Sequence, residues 1–377
     1  EIAMQVAGFS AGQADRFRRA MNRHRSRVEM ASLERDFLLG CQARAVPGAV
    51  AGQLFEAVRG FAAFGFCRSH AAAFARTAYE TAWLRLHHPA AYLVGMLNHQ
   101  PMGFYHPSVL VDDARRRGVR VLSVDVNRSR ARCRLEAGDG LDGLAVRLGF
   151  NYVKGVGQAL REHLDQMRAL GEYASPEDFW RRTGIPRSVL DSLVLVGALD
   201  GFGEPRRKLL WRLKALEDEM AGRLGGRGKA KRERTGPTQE ELLPLPAPAP
   251  ALPALSLRER VLTDYRVMEL TTGPHPASLL RPQLVELGVV PLVEARSSAP
   301  DRRVRVAGLV ITRQAPHSAR GMRFFTLADE TGHLDLVFSP EVYWHNRTLA
   351  SHEAWLCAEG VVRAADGVAS LLVERLL

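Results

Sequence analysis

The chain has 377 residues, of which 52 are Lys or Arg and 41 are Asp or Glu, for a formal net charge of +11. With 46% hydrophobic and 25% charged residues it has the composition of a folded protein of two or three domains, and disorder as the dominant state is excluded. The cationic excess favours a polyanionic partner, nucleic acid ahead of an anionic membrane, although 47 Arg against 5 Lys is also what GC-rich coding produces. No apolar run approaches the roughly 18 residues that a membrane span needs, and no signal peptide is visible. Cys41, Cys67, Cys133 and Cys357 show neither C-x-x-C nor zinc-finger spacing, which points to reduced thiols and a cytoplasmic protein.

Residues 1 to about 100 read as helices. Residues 16–21 and 54–61 are amphipathic, and 71–86 form a long Ala-rich helix carrying Phe74, Tyr79, Trp83 and Leu86. His87, His88 and Pro89 interrupt it, because proline cannot continue a helix without strain. Residues 100–107 are a turn-rich connector, 108–117 a short helix closed by Gly118, and 119–124 a strand. Residues 144–220 read as helices again, punctuated by glycines. At Gly222 the composition changes: 222–236 is rich in Gly, Arg and Lys, and 244–253 alternates Pro with Ala or Leu. Together they predict a flexible linker followed by a stiffer one. Residues 256–290 are a helical or mixed lead-in. From Val304 the period becomes two, with strands at 304–311, 324–327, 334–338, 354–361 and 370–373 and a helix at 340–349. Five strands with a helix between the third and fourth is the layout of an OB-fold barrel. The expected fold class is multidomain α+β: a mostly helical N-terminal part, a tandem helix–hairpin–helix and a C-terminal five-stranded OB-fold β-barrel. Glu1 opens inside a helical pattern, so the chain reads as a piece of a longer protein.

Four features carry possible chemistry. Arg16, Arg19 and Arg23 share one helix face, where planar guanidinium forks suit phosphate; a solvated face is the alternative. Arg68, Ser69 and His70 stand immediately before a helix, and a helix N-terminus attracts anions; plain capping by Ser69 is the alternative. Lys154-Gly-Val-Gly157 precedes a helix, and its glycines would let the backbone approach a DNA phosphate without reading bases. A second copy of this hairpin is placed at Val196-Gly-Ala-Leu199, after a helix over 188–194; an ordinary helical turn with glycine caps is the alternative. In the barrel, Arg303, Arg305, Arg313, Arg320 and Arg323 mix with Phe324 and Phe325, as in surfaces that hold single strands. Alternation sends one of the two phenylalanines into the barrel interior. Asp112-Asp113 and Glu217-Asp218-Glu219 are expected on exposed helix surfaces, and no catalytic or metal-binding residue is predicted in this chain.

Taken together these stretches resemble the C-family bacterial DNA polymerases, the family of the polymerase III α subunit. The resemblance rests on Ala7-Gly-Phe-Ser and Asp15-Arg-Phe-Arg-Arg-Ala-Met21, on Phe64-Gly-Phe-Cys-Arg-Ser-His70 with Ala71-Ala-Ala-Phe-Ala, and on Trp83-Leu and His88-Pro-Ala. Asn98-His-Gln-Pro-Met-Gly-Phe-Tyr105, Asp112-Asp-Ala-Arg-Arg-Arg-Gly-Val, Val124-Asp-Val-Asn127, Asp264-Tyr-Arg and Gly273-Pro-His-Pro276 are similar to the error-prone, DNA-damage-associated branch.

The resemblance implies fingers over 1–130, a tandem helix–hairpin–helix region over 131–220, a linker over 221–255, a lead-in over 256–301 and an OB domain over 302–377. It implies that Arg19, Arg23, Arg68, Ser69 and His70 lie near the phosphates of an incoming deoxynucleoside triphosphate. Lys154, Gly155, Gly157, Gly197, Arg305, Arg323 and Phe324 would contact primer–template DNA. Mg²⁺ would be held in the full-length enzyme by a palm that precedes this chain, as would a PHP domain, so the piece alone is expected to be inactive. The implied activity is that of an error-prone, translesion DNA-directed DNA polymerase of the bacterial cytoplasm. The sliding clamp or an accessory translesion protein is a further implied partner, and residues 239–243 faintly resemble a clamp-binding peptide. A non-catalytic protein built from helix–hairpin–helix and OB modules, and a replicative α subunit, are the other two readings.

Overall fold

The computed structural model describes residues 2–21, 27–64, 68–103, 105–140, 143–226, 251–316, 319–365 and 367–377. The chain divides into two compact units, 1–82 and 83–377.

The first unit is helical: α1 (Ile2–Ala7), α2 (Ala11–Met21), α3 (Arg27–Ala43), α4 (Gly48–Phe64) and most of α5 (Arg68–His87). Its core is aromatic. Phe17, Phe37 and Phe55 are buried, the Phe17 and Phe37 rings stack at 5.7 Å, and Phe9 meets both edge-on. Along α5, by contrast, Phe74 and Tyr79 are exposed.

In the second unit α6 (Pro89–Asn98) starts at the predicted break, with Pro89 in its first turn. His106 caps α7 (Pro107–Arg116), its ring accepting the Ser108 N–H. A three-stranded sheet follows, β1 (Arg120–Leu122), β2 (Arg134–Ala137) and β3 (Leu144–Arg147), in the order β1-β3-β2. This corrects the sequence reading, which expected one strand here and a helix from 144. Ala145, Val146 and Arg147 are all buried, so β3 shows none of the in–out alternation that betrays a strand.

Helices α8 (Gln158–Ala169), α9 (Pro176–Thr183), α10 (Arg187–Leu195) and α11 (Arg206–Gly226) pack beside the sheet. Ser175 caps α9 by accepting the Asp178 N–H, and Gly184 ends it in the left-handed conformation. Helix α11 continues to Gly226, past the predicted start of the linker. Residues 239–243 lie outside the described residues. The lead-in is helical: α12 (Leu257–Met268) opens with a capping box of Ser256 and Glu259, followed by α13 (Pro276–Glu286) and α14 (Leu292–Arg296). One core, containing Leu93, Val146, Phe150, Leu164, Phe179, Leu193 and Met268, ties α6 through α12 together.

The barrel consists of β4 (Arg303–Gln314), β5 (Arg323–Ala328), β6 (His333–Phe338), α15 (Pro340–His345), α16 (Arg347–His352), β7 (Trp355–Ala365) and β8 (Val368–Leu376). It closes in the order β4-β5-β6-β8-β7, with β6 and β8 parallel. All five predicted strands are present, and the predicted helix is two short helices broken at Asn346. Val306, Phe325, Leu327, Leu336, Phe338, Ala358, Val362 and Leu371 fill the interior. At a β-bulge, Gly360 lies so close to strand β8 that a Cβ would collide with the Leu372 carbonyl oxygen. Gly360→Ala is therefore expected to cost about 1–3 kcal/mol by overpacking, read as a lowered urea midpoint.

Candidate nucleic-acid interface

The Lys154–Gly157 turn is built by two apolar plugs. Val153 and Val156 are buried in the core, which leaves Lys154, Gly155 and Gly157 outside. Gly155 has φ +89, a conformation that L side chains avoid. The Lys154 N–H donates to the Val267 carbonyl at 3.0 Å and fixes the turn against α12. Gly157 is the N-cap of α8; no side chain caps it and no acidic residue occupies the first turn. The opening N–H groups of α8 therefore face outward beside an exposed lysine, an arrangement suited to a phosphate oxygen.

The second turn differs. Gly197 has φ +80, but its N–H donates to the Val194 carbonyl at 3.0 Å and the Ala198 N–H to Leu193 at 2.9 Å. A Cβ on Gly197 would strike the Arg206 guanidinium, which is itself paired with Asp200 at 2.7 Å. The backbone donor at Gly197 is thus consumed inside the fold.

In the barrel, Phe325 is the inward ring and Phe324 is half-buried on the other side of β5. Arg305 is committed internally: it donates to Glu359 at 2.9 Å and to the Leu287 carbonyl at 2.6 Å. Arg303 pairs with Glu374 at 2.8 Å, and Arg313 donates to the Ala350 and Glu353 carbonyls. Arg323 stands 5.0 Å from the centre of the Tyr343 ring. Sequence reasoning missed the neighbouring Trp344, which is 56% exposed with the Arg347 guanidinium 5.0 Å from its ring centre. The only signal for it was the Tyr-Trp pair inside a stretch read simply as a helix. A Ser351 hydrogen bond, aided by Arg323, holds the Tyr343 phenol below its ordinary range.

Of the residues expected near nucleotide phosphates, Arg23 and the side chains of Arg19 and Arg68 lie outside the described residues. Ser69 and His70 are exposed, and the His70 ring meets Phe74 edge-on at 4.4 Å. Helix α5 begins at Arg68, so Ser69 and His70 belong to its first turn and do not precede it.

The acidic pair in α7 is not on an exposed surface as expected. The Asp112 side chain is 13% exposed and the Asp113 side chain pairs with Arg85 at 2.6 Å. Burial pushes the Asp112 carboxyl up to about 6, against the pull of Arg115 and Arg116. Among the described residues there is no group of three or more His, Cys, Asp or Glu that could hold a metal ion. No helix among them is long and apolar enough to cross a membrane. Cys41, Cys133 and Cys357 are free thiols.

Comparison with known proteins agrees with these modules. Residues 1–45 match the bacterial DNA polymerase III alpha subunit finger domain, 118–209 a helix-hairpin-helix motif and 304–377 an OB-fold nucleic acid binding domain. An error-prone DNA polymerase of Corynebacterium diphtheriae is 37% identical over 99% of this chain and 33% of its own length. Error-prone DNA polymerases of Bordetella parapertussis (100% of this chain, 34% of theirs) and Anaeromyxobacter sp. (99% and 32%) are each 37% identical as well. The chain spans about a third of the length of the curated relatives it matches. The order of the finger, helix–hairpin–helix and OB modules and this full-chain similarity place it in the bacterial DNA polymerase III α-subunit family.

Proposed function

We propose that this chain is the DNA-holding portion of an error-prone DNA-directed DNA polymerase that copies damaged template in the bacterial cytoplasm. The observation that carries this reading is the uncapped start of α8, where Gly155 and Gly157 leave backbone donors open beside Lys154. A hairpin of this kind grips a duplex by its backbone and is indifferent to sequence, as a polymerase must be. In this reading 1–130 form the fingers, 131–220 hold the duplex, 221–255 link, 256–301 lead in, and 302–377 lie along single-stranded template. Arg19, Arg23, Arg68, Ser69 and His70 receive the triphosphate of the incoming nucleotide. Phe324, Arg323 and, beside them, Tyr343 and Trp344 offer rings and cations to unpaired bases. Arg305 keeps Glu359 in place and serves the template indirectly. Nucleotidyl transfer of this class uses divalent cations, Mg²⁺ foremost, and the described residues do not fit such a site. In this reading the cations are held by a palm outside this chain. The sliding clamp, directly or through an accessory protein, is a further partner.

Binding of a fluorescent primer–template duplex across a KCl series tests the reading. Lys154→Ala is expected to weaken binding equally on all sequences and to lower the salt slope by about 1. A slope and affinity unchanged by Lys154→Ala and by Gly155→Ala would remove the hairpin from the interface. In the complete polymerase, Arg68→Ala should raise the nucleotide KM or slow the rate; unaltered kinetics would sink the fingers assignment.

A further inference from the structure

A cavity of about 510 Å³ lies beside the second turn, bounded by Ala198, Gly201 and Phe202 on one side and by residues 125–134 and the end of α8 on the other. Its wall carries four guanidinium groups, Arg128, Arg130, Arg134 and Arg168, against two carboxylates, Asp125 and Glu172. Both carboxylates are already engaged. Glu172 accepts from Arg168 at 3.0 Å, and Asp125 accepts the Asn127 N–H at 2.8 Å.

The frame is rigid. The Asn127 side chain donates to the Tyr173 carbonyl at 3.0 Å and accepts the Tyr173 N–H at 2.8 Å. Arg168 donates to the Asn127 carbonyl at 2.7 Å and its side chain is 17% exposed, so one cation is fixed in the wall. The Arg134 Nε is buried without any hydrogen-bond partner. Among the described residues, the guanidinium groups of Arg128 and Arg130 make neither an ion pair nor a hydrogen bond, although Arg128 still attracts the Glu136 carboxylate, and Arg128 is exposed. Elsewhere in the same unit Arg147, Arg187, Arg206, Arg281 and Arg305 each reach a carboxylate. Arg168 is paired with Glu172 and Arg134 reaches Glu136 at 3.4 Å, so Arg128 and Arg130 supply the cationic excess around this cavity; that excess attracts an anion, and the guanidinium fork matches two phosphate oxygens at once.

We propose that this arginine cleft is a phosphate site for the DNA backbone, supplying at the second turn the anion contact that the consumed Gly197 N–H cannot. The inference rests on the proposed role of this region in holding duplex DNA. Arg168 lies eleven residues along α8 from Gly157, which separates the cleft from the first hairpin by about 16 Å. At 3.4 Å per base-pair step that distance corresponds to about five steps, so one duplex can engage both.

The test compares three double variants for binding to a primer–template duplex over a KCl series. Arg128→Ala/Arg130→Ala is expected to lose about tenfold in affinity and to reduce the salt slope by about two. Arg128→Lys/Arg130→Lys keeps the charges and should retain most of the binding, which also guards against a folding defect in the alanine pair. Arg258→Ala/Arg260→Ala removes two exposed cations from α12 and should leave the slope nearly unchanged. If the cleft pair behaves like the α12 pair while Lys154→Ala still weakens binding, the cleft is not a DNA site and the hairpin reading survives. If the wild-type chain does not bind duplex DNA, the hairpin reading falls first and the cleft with it. A third arm uses dATP alone: saturable binding abolished by Arg128→Ala/Arg130→Ala, with duplex affinity untouched, would assign the cleft to a free nucleotide and overturn the proposal.

Discussion

Asp329→Ala is expected to destabilise the barrel and its lead-in by about 3–5 kcal/mol, the range seen when one partner of a buried charge pair is removed. Asp329 is fully buried at the turn between β5 and β6. Its Oδ1 accepts the Thr331 N–H at 2.7 Å, the Thr331 hydroxyl at 2.6 Å and the Gly332 N–H at 3.0 Å. Its Oδ2 accepts the Leu292 N–H at the start of α14 and the Arg281 guanidinium of α13, both at 2.9 Å. One carboxylate thus closes a turn, caps a helix and anchors the preceding helices to the barrel. Alanine would orphan three backbone donors and leave Arg281 with Glu330 alone. Asp329→Asn should cost less, because the amide oxygen can still serve the turn, but its NH₂ would face the Arg281 and Leu292 donors. Urea denaturation followed through Trp355 fluorescence reads both. An Asp329→Ala midpoint equal to the wild type would show that these bonds contribute nothing net.

The second large effect is on pH. His275 caps α13 by accepting the Ala277 N–H on Nδ1 at 3.1 Å, which places the proton of the neutral ring on Nε2. That nitrogen is buried without a hydrogen-bond partner, 3.9 Å from the Asp112 carboxylate. Burial pushes the His275 pKa down to about 4, while Asp112, in the same pocket, is pushed up to about 6. The two act in opposite directions. The raised Asp112 contributes stability that is full below its unfolded pKa and is lost as pH rises through about 6. The depressed His275 contributes stability that is full above its unfolded pKa and is lost as pH falls through about 4. Asp264, also raised to about 6 by burial, adds to the Asp112 side. The two carboxyls outweigh the histidine, so wild-type stability should fall by about 2–3 kcal/mol between pH 4 and 6.5, and single variants should separate the opposing slopes. Asp112→Asn is expected to gain on the wild type by about 2–3 kcal/mol as pH rises from 4 to 7, at 1.36 kcal/mol per pKa unit. His275→Asn, which preserves a cap acceptor, should fall behind the wild type by a similar amount over the same interval. Parallel pH profiles for all three proteins would contradict this account.

The barrel was legible because each strand has one wet and one dry face, so period two survives in the sequence. Strand β3 was not, since a strand buried on both sides carries no such period. The first hairpin was legible from Lys154-Gly-Val-Gly157, a local pattern with a local conformation. The second was legible as a turn but not as an occupied one, because Arg206 comes from the start of the following helix. The same limit applies to the arginines. Sequence places cations, but whether a guanidinium such as that of Arg305 meets Glu359 or, like that of Arg128, lines a cleft without an ion pair among the described residues depends on tertiary neighbours. Asp112 shows it most sharply: a polar pair in a helix reads as surface until His275 and Tyr265 are laid beside it.

The order in which the barrel strands pair has a consequence for synthesis on the ribosome. Strand β8 lies between β6 and β7, and its parallel pairing with β6 spans about thirty-five residues. Until β8 has emerged, β6 and β7 each keep a raw edge of unpaired N–H and C=O groups, the kind of surface that recruits strands from other chains. The barrel can therefore close only after its last strand is translated. A nascent chain stalled near residue 365 would expose two adhesive edges, whereas the helical units upstream could already be folded.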